Sequence, residues 1–262
     1  MIISWRELFT LLLCFAGMIA IKGQDYQVDY VADIKTLSGK RWSGATSLVF
    51  NDSSAAFIHT DWPTKNDLFE RDGKYHTVVG DSEGMKIYTN LKSREFHHKD
   101  HYMTPDSWNF IFIDSIPQID WTITDEQKFV SNMNVIKARG AYGGRDYTAW
   151  FAPSFPVPFG PYHFGGLPGL ILEITSDDGL VTYTFDGYHD RIQDERFTVT
   201  PPVDGKYATK EEFEKFIISS LLHVETLSTS TMTVTHGIAH PDYVIIKNRY
   251  TTIRDYKRER GY

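Results

Sequence analysis

Residues 153–185 read PSFPVPFGPYHFGGLPGLILEITSDDGLVTYTF, and the change of character at Leu170 decides the fold class. Before it, Pro153 to Gly169 hold five prolines, four glycines and the aromatics Phe155, Phe159, Tyr162 and Phe164. Proline fixes φ and has no N–H to donate, so this segment cannot be a paired inner strand. It reads as a stiff loop. After it, Leu170 to Ile174 alternate, Ser176-Asp177-Asp178-Gly179 supply turn chemistry, and Leu180 to Phe185 return. That is a β-hairpin entered through an aromatic loop. Pro168-Gly169 suits the centre of a type II turn, which predicts a positive φ at Gly169 and a motif that is architectural.

Outward from the hairpin the same two-residue period recurs. Val28, Tyr30, Ala32 and Ile34 share one face of a strand, with Asp29 and Asp33 on the other. Thr46 to Phe50 and Ala56 to His59 flank Asn51-Asp52-Ser53-Ser54, and Tyr75 to Val79 and Met85 to Tyr88 flank Gly80 to Gly84. Both read as hairpins. Further strands are predicted at Trp108 to Ile113, Asp120 to Thr124, Phe129 to Ala138 and Arg145 to Phe151. One helix is predicted, Thr209 to Glu225. It opens with the capping box Thr209-Lys210-Glu211-Glu212, and Phe213, Phe216, Ile217, Leu221 and Val224 form an apolar stripe. No internal repeat, low-complexity stretch or long linker divides the chain. The expected fold is mainly β (α+β): a curved, mostly antiparallel sheet or half-barrel with one covering amphipathic helix near the C-terminus.

Gly166-Leu167-Pro168-Gly169-Leu170-Ile171 spells GLPGLI. With Trp121 to Glu126, Lys137-Ala138, Gly144-Arg145, Ala149-Trp150 and Gly160-Pro161 in order before it, the chain resembles the GLPGLI family of exported proteins from Gram-negative bacteria. The likeness covers the middle and second half. That family commonly has a cysteine two residues before its Lys-Ala pair, where this chain has Val135. The resemblance implies export and a mostly antiparallel sheet. The family's function is uncharacterised, so no catalytic residue carries over.

Export is also written at the N-terminus. Arg6 precedes an uncharged run from Leu8 to Ile21, and Gly23 offers a small residue before polar chain. A spanning helix needs about 20 apolar residues, so this shorter run reads as a signal peptide over 1–23, leaving a single β-rich domain over 24–262. The only cysteine, Cys14, lies inside the run behind Leu13. The mature part then has no disulfide, thiol or thiolate zinc site. The formal charge is −7, and −8 once residues 1–23 are removed. An acidic exported chain is a poor partner for nucleic acid. The expected location is exported: periplasmic, outer-membrane associated or secreted, with no transmembrane segment after cleavage.

The densest donor cluster is His97-His98-Lys99-Asp100-His101. In a strand, His97 and His101 share a face with Lys99 while His98 points away, so the cluster reads as a solvated polar loop and not a metal site. No G-x-S-x-G is present, and Asp125-Glu126, Asp177-Asp178 and Asp194-Glu195 are not placed across any cleft by sequence. No cofactor is expected. The candidate binding residues are Trp150, Phe155, Phe159, Tyr162 and Phe164: aromatics on a stiff loop give apolar contact at low ordering cost, unless they fold over the sheet end as a lid. The reading is a non-enzymatic binding or accessory module for an apolar ligand or an envelope partner protein. The alternative is an exported metal-dependent or hydrolytic enzyme using His97, His98, His101 or carboxylates elsewhere.

Overall fold

Alternating side chains make strands, and strands with one apolar face must curl around something. The computed structural model describes residues 24–35, 41–60, 67–71, 74–78, 83–101, 109–209, 211–212 and 233–234. Its strands are β1 (Tyr26–Lys35), β2 (Arg41–Phe50), β3 (Ser54–His59), β4 (Asp67–Arg71), β5 (Lys74–Val78), β6 (Lys86–Asn90), β7 (Glu95–His101) and β8 (Asn109–Ser115). They continue as β9 (Thr122–Val130), β10 (Met133–Tyr142), β11 (Arg145–Ala152), β12 (Leu170–Ser176), β13 (Val181–His189), β14 (Lys206–Tyr207) and β15 (Thr233–Val234). Among the described residues twelve strands form one open sheet in the order β14-β8-β7-β6-β3-β2-β1-β13-β12-β11-β10-β9, and β15-β5-β4 form a small second one. Every pairing in the large sheet is antiparallel except β14 on β8, so the sheet is mixed.

The curvature follows from the connections. β8 lies near one edge and β9 forms the other, yet only residues 116–121 join them. Ten inter-strand spacings of about 4.8 Å would part them by roughly 48 Å in a flat sheet, whereas seven residue steps reach at most about 25 Å. The sheet must therefore curl. Its concave side carries Val28, Tyr30, Ala32 and Ile34 of β1, all buried as their alternation predicts, with Phe50, Phe57, Phe96, Phe112 and Tyr183 in the same core. On the other face, Val49, Ala56, Ile58 and Tyr88 pack under Phe197.

Asn51 forms the predicted turn between β2 and β3, its Oδ1 accepting from the N–H groups of Ser53 and Ser54 at 3.1 and 3.0 Å. Three readings are corrected. β5 and β6 do not pair with each other: β5 pairs with β4, Arg71 opposite Lys74, and β6 joins β3 and β7; in the sequence Asp-Gly is a stronger hairpin signal than the stretch Gly80 to Gly84. The stretch 129–138 is two strands, because Ser131 and Asn132 take positive φ (42° and 67°) in a tight turn that joins β9 to β10. The positive φ near the GLPGLI motif belongs to Gly166 (88°), not to Gly169. Gly169 is there for closeness: a Cβ would sit 2.5 Å from the carbonyl oxygen of Ala152. The predicted helix over 209–225 lies outside the described residues beyond its first turn. There the capping box is formed, with Thr209 N–H donating to Glu212 Oε2 (2.8 Å) and Glu212 N–H to Thr209 Oγ1 (3.2 Å).

The turn from β12 to β13 is tied by charge. Arg145 Nε donates to Asp178 Oδ2 (2.6 Å) and Ser176 Oγ to Asp178 Oδ1 (2.7 Å). Burial works against the Asp178 carboxylate, but bonds from Ser176, Arg145 and the Leu180 N–H outweigh it and hold the carboxyl below its ordinary value. A depressed carboxyl contributes stability above its unfolded pKa and loses it as pH falls through the folded one. Asp178→Asn is therefore expected to lower the melting temperature at neutral pH and to flatten its decline below about pH 4, read by thermal melts across pH. Gly169→Ala is expected to cost about 1–3 kcal/mol by forcing Ala152 away, and Leu170→Ala, fully buried, about 2–5 kcal/mol. Denaturant melts with unchanged midpoints would contradict both.

Candidate functional site

The loop of residues 153–169 is the feature that the sheet curls around. It is knotted by its own backbone: Val157 N–H to Phe155 O (2.8 Å), Phe164 N–H to Pro161 O (3.1 Å) and Gly166 N–H to Pro158 O (3.0 Å). It is stitched to β12 by Leu170 N–H to Phe155 O (3.0 Å) and Ile171 N–H to Phe159 O (2.9 Å). Trp121 Nε1 donates to Gly165 O at 2.8 Å, its ring lying where a Cβ on Gly140 would come within 2.7 Å. The five prolines of the loop have no N–H to satisfy, which lowers the number of bonds its burial requires.

Each aromatic of the loop meets a ring on a different strand. Phe155 lies edge-on to Tyr188 of β13 (4.9 Å between centroids) and Phe159 against Phe50 of β2 (6.3 Å). Tyr162 meets His98 of β7 (5.9 Å) and Phe164 meets Tyr147 of β11 (4.7 Å). Below them Tyr30 reaches up from β1 to donate its hydroxyl to Ile171 O at 2.7 Å, and burial, with Asp29 adding, pushes that phenol far above its usual range. So Phe155, Phe159, Tyr162 and Phe164 are all buried, in the lid arrangement that the sequence leaves open. Trp150, the fifth candidate, is elsewhere. It stands half-buried on the outer face of β11, opposite Lys137 and Glu173 in register, with Lys128 Nζ 4.5 Å from its ring.

At one end of this trough lies a polar group that the sequence reading missed. The segment 95–101 is strand β7 and not a solvated loop: Phe96, His98 and Asp100 face the trough, and all three are buried. His163, from the loop, is buried beside them, and its Nε2 is 3.0 Å from Nδ1 of His98. Asp100 Oδ2 is 3.9 Å from the other nitrogen of His98. Phe96 packs on His163 at 4.4 Å and Phe112 on His98 at 5.4 Å. Tyr162, next in the chain, takes φ 56°, a disfavoured backbone state for a side chain of this size. Histidine after tyrosine in a proline-rich loop gave no periodic signal, so nothing in the sequence paired His163 with His98.

The outer face of the same strands holds a second buried charge cluster. Lys86 and Lys99, opposite each other in register, share Glu83: Lys86 Nζ lies 3.4 Å from Oε1 and Lys99 Nζ 3.0 Å from Oε2. Lys86 also donates to Thr198 Oγ1 (3.1 Å). Burial pushes the Lys86 ammonium down, against the pull of Glu83. His97 is on this face, edge-on to Tyr88 at 5.8 Å, and burial lowers it too. The histidine cluster is thus divided, His98 inward and His97 outward. The carboxylate pairs do not converge: Glu126 bonds Lys137, Asp178 bonds Arg145 and Asp194 bonds Arg196. Among the described residues no helix is long and apolar enough to cross a membrane.

A family model described as a protein of unknown function (Porph_ging) matches residues 142–173, the stretch from the end of β10 through the GLPGLI motif. No curated protein matches the sequence. Among solved structures, PNGF-II is similar in two crystal forms, with TM-scores of 0.53 and 0.52 and 14% identity over 76% of this chain. The chain spans about a third of PNGF-II, 34% and 33% in the two forms. A LolA superfamily protein from Nitrosomonas europaea matches with a TM-score of 0.29 and 10% identity, covering 71% of this chain and 93% of that one. At such identity, the match to PNGF-II is a likeness of fold.

Proposed function

We propose that this chain is an exported, non-enzymatic binding module of the cell envelope whose aromatic trough takes an apolar ligand when the loop of residues 153–169 lifts. One observation carries the reading: the apolar face of the sheet is covered by a separate loop and not by the sheet itself. Its rings lie one by one against Tyr188, Phe50, His98 and Tyr147. Each ring occupies a place that an apolar ligand would fill. The left-handed backbone at Tyr162 supports a displaceable loop, since such a residue costs of order 1–3 kcal/mol and persists only where its surroundings hold it. Aromatic-lined concave sites with a few polar groups are the usual form of small-molecule binding sites.

A second reading, an exported metal-dependent or hydrolytic enzyme, draws on Asp100, His98 and His163, a carboxylate and two imidazoles in line. It requires a substrate to reach the same covered end of the trough.

Uptake of the apolar fluorophore N-phenyl-naphthylamine by the exported chain tests the first reading. Trp121→Phe keeps a ring on Gly140 but removes the bond to Gly165 O, worth about 1 kcal/mol. A lid weakened by that amount is open about fivefold more often, so apparent affinity is expected to rise about fivefold. No saturable uptake by either protein would end the proposal. N-terminal sequencing of the same material is expected to begin at or within a few residues of Gln24; an intact Met1 would remove the export reading.

A further inference from the structure

Alternation along β7 turns His98 and Asp100 into the trough, and the turn Pro161 to Phe164 lowers His163 onto them. The contact between them, His163 Nε2 to His98 Nδ1 at 3.0 Å, is an imidazole–imidazole hydrogen bond. Such a bond holds one proton between its two nitrogens: one ring donates and the other accepts. If both rings are protonated, two N–H groups point at each other and two positive charges stand in a site where His98 is 0% and His163 8% exposed. The donor clash cannot be met with the two nitrogens at that distance, and the two like charges add to it.

We propose that His98 and His163 form a proton-operated latch on the loop of residues 153–169, closed while the pair holds a single shared proton between its rings and released when both rings are protonated. The groups facing the pair fit this role. Asp100 on β7, near Nε2 of His98, favours one imidazolium and leaves the Nδ1–Nε2 clash of the second untouched. Asp114 of β8 lies opposite Phe96 in register, one pair further along the same face. Opposite Phe96 and His98 on β6 stand the uncharged Thr89 and Ile87. Tyr162 packs on both imidazoles, at 5.9 and 4.3 Å. Its left-handed backbone is held in place by the same contacts, so parting the rings also relieves that residue. Acidification through the histidine range would then uncover the trough. That consequence rests on the binding reading above; the latch itself does not.

Hydrogen exchange on the exported chain tests the latch without any ligand. The amides of Phe164, Gly166 and Ile171 all donate inside or beside the loop. Opening coupled to uptake of one proton changes by about tenfold per pH unit. Their protection factors, corrected for intrinsic rates, are expected to fall by that amount per unit below about pH 6.5, while β1 amides keep theirs. His163→Phe keeps a ring against Phe96 and Tyr162 but cannot titrate, so its loop protection should stay flat. Flat protection in the unsubstituted chain, or an equal fall in β1, overturns the latch; these two readings decide even if His163→Phe does not fold. Capture of stoichiometric zinc by the pair, raising loop protection until a chelator is added, would overturn it as well. A loop that opens with acid while N-phenyl-naphthylamine never binds would keep the latch and remove the ligand.

Discussion

An open sheet with one apolar face is unstable in water until that face is covered, and among the described residues a loop without regular structure packs into that face. The loop of residues 153–169 contributes Phe155, Val157, Phe159, Tyr162, Phe164 and Leu167 to a single core with residues from both halves of the sheet. Neighbouring residues reach far apart in the strand order: His163 touches Phe96 of β7 while Phe164 touches Tyr147 of β11 and Tyr142 of β10. Only a curled sheet brings those strands to adjacent residues. The loop and the curvature therefore require each other. Prolines make this workable, because a segment with fewer N–H groups can be buried with fewer bonds to satisfy.

The glycines act in the same service. Gly169 lets the chain pass against the Ala152 carbonyl, and Gly166 supplies the left-handed step that carries it there. The GLPGLI motif is thus the point where a buried loop is spliced into a buried strand. At Gly169 the structure has a close approach in place of the positive-φ turn that the sequence suggested. Pro-Gly is equally good chemistry for a turn and for a close approach, and only the position of Ala152, contributed by another strand, separates the two.

Much of the sheet was legible because period-two alternation is a local signal. The faces of β1, the Asn51 turn, the 170–185 hairpin and the stiff loop could all be read from neighbouring residues. The charged strand EFHHKDH could not. Its polarity describes a surface, yet Lys99 and His98 are fully buried, since Glu83 and His163 come to them from distant parts of the chain. The split at Ser131-Asn132 was hidden for a related reason: those residues turn less readily than Asn-Gly, and the strong strand residues on either side concealed them. Of the five candidate aromatics, the four in the loop came together in the trough, and Trp150 was separated from them by the parity of its own strand.

β14 apart, the strand order sets β8 to β1, from the first part of the chain, beside β13 to β9, from the second, and the two halves meet where β1 pairs with β13. This has a consequence for how the chain is made. Synthesis delivers β1 near the start and β13 only at residues 181–189, so the β1 edge of the first half stays open while most of the domain is still being produced. That edge carries Val28, Tyr30, Ala32 and Ile34, and an unpaired apolar strand is a template for wrong partners. The first half cannot be a finished folding unit. Its β1 edge has to be shielded, or kept extended, until the second half arrives to zip along it.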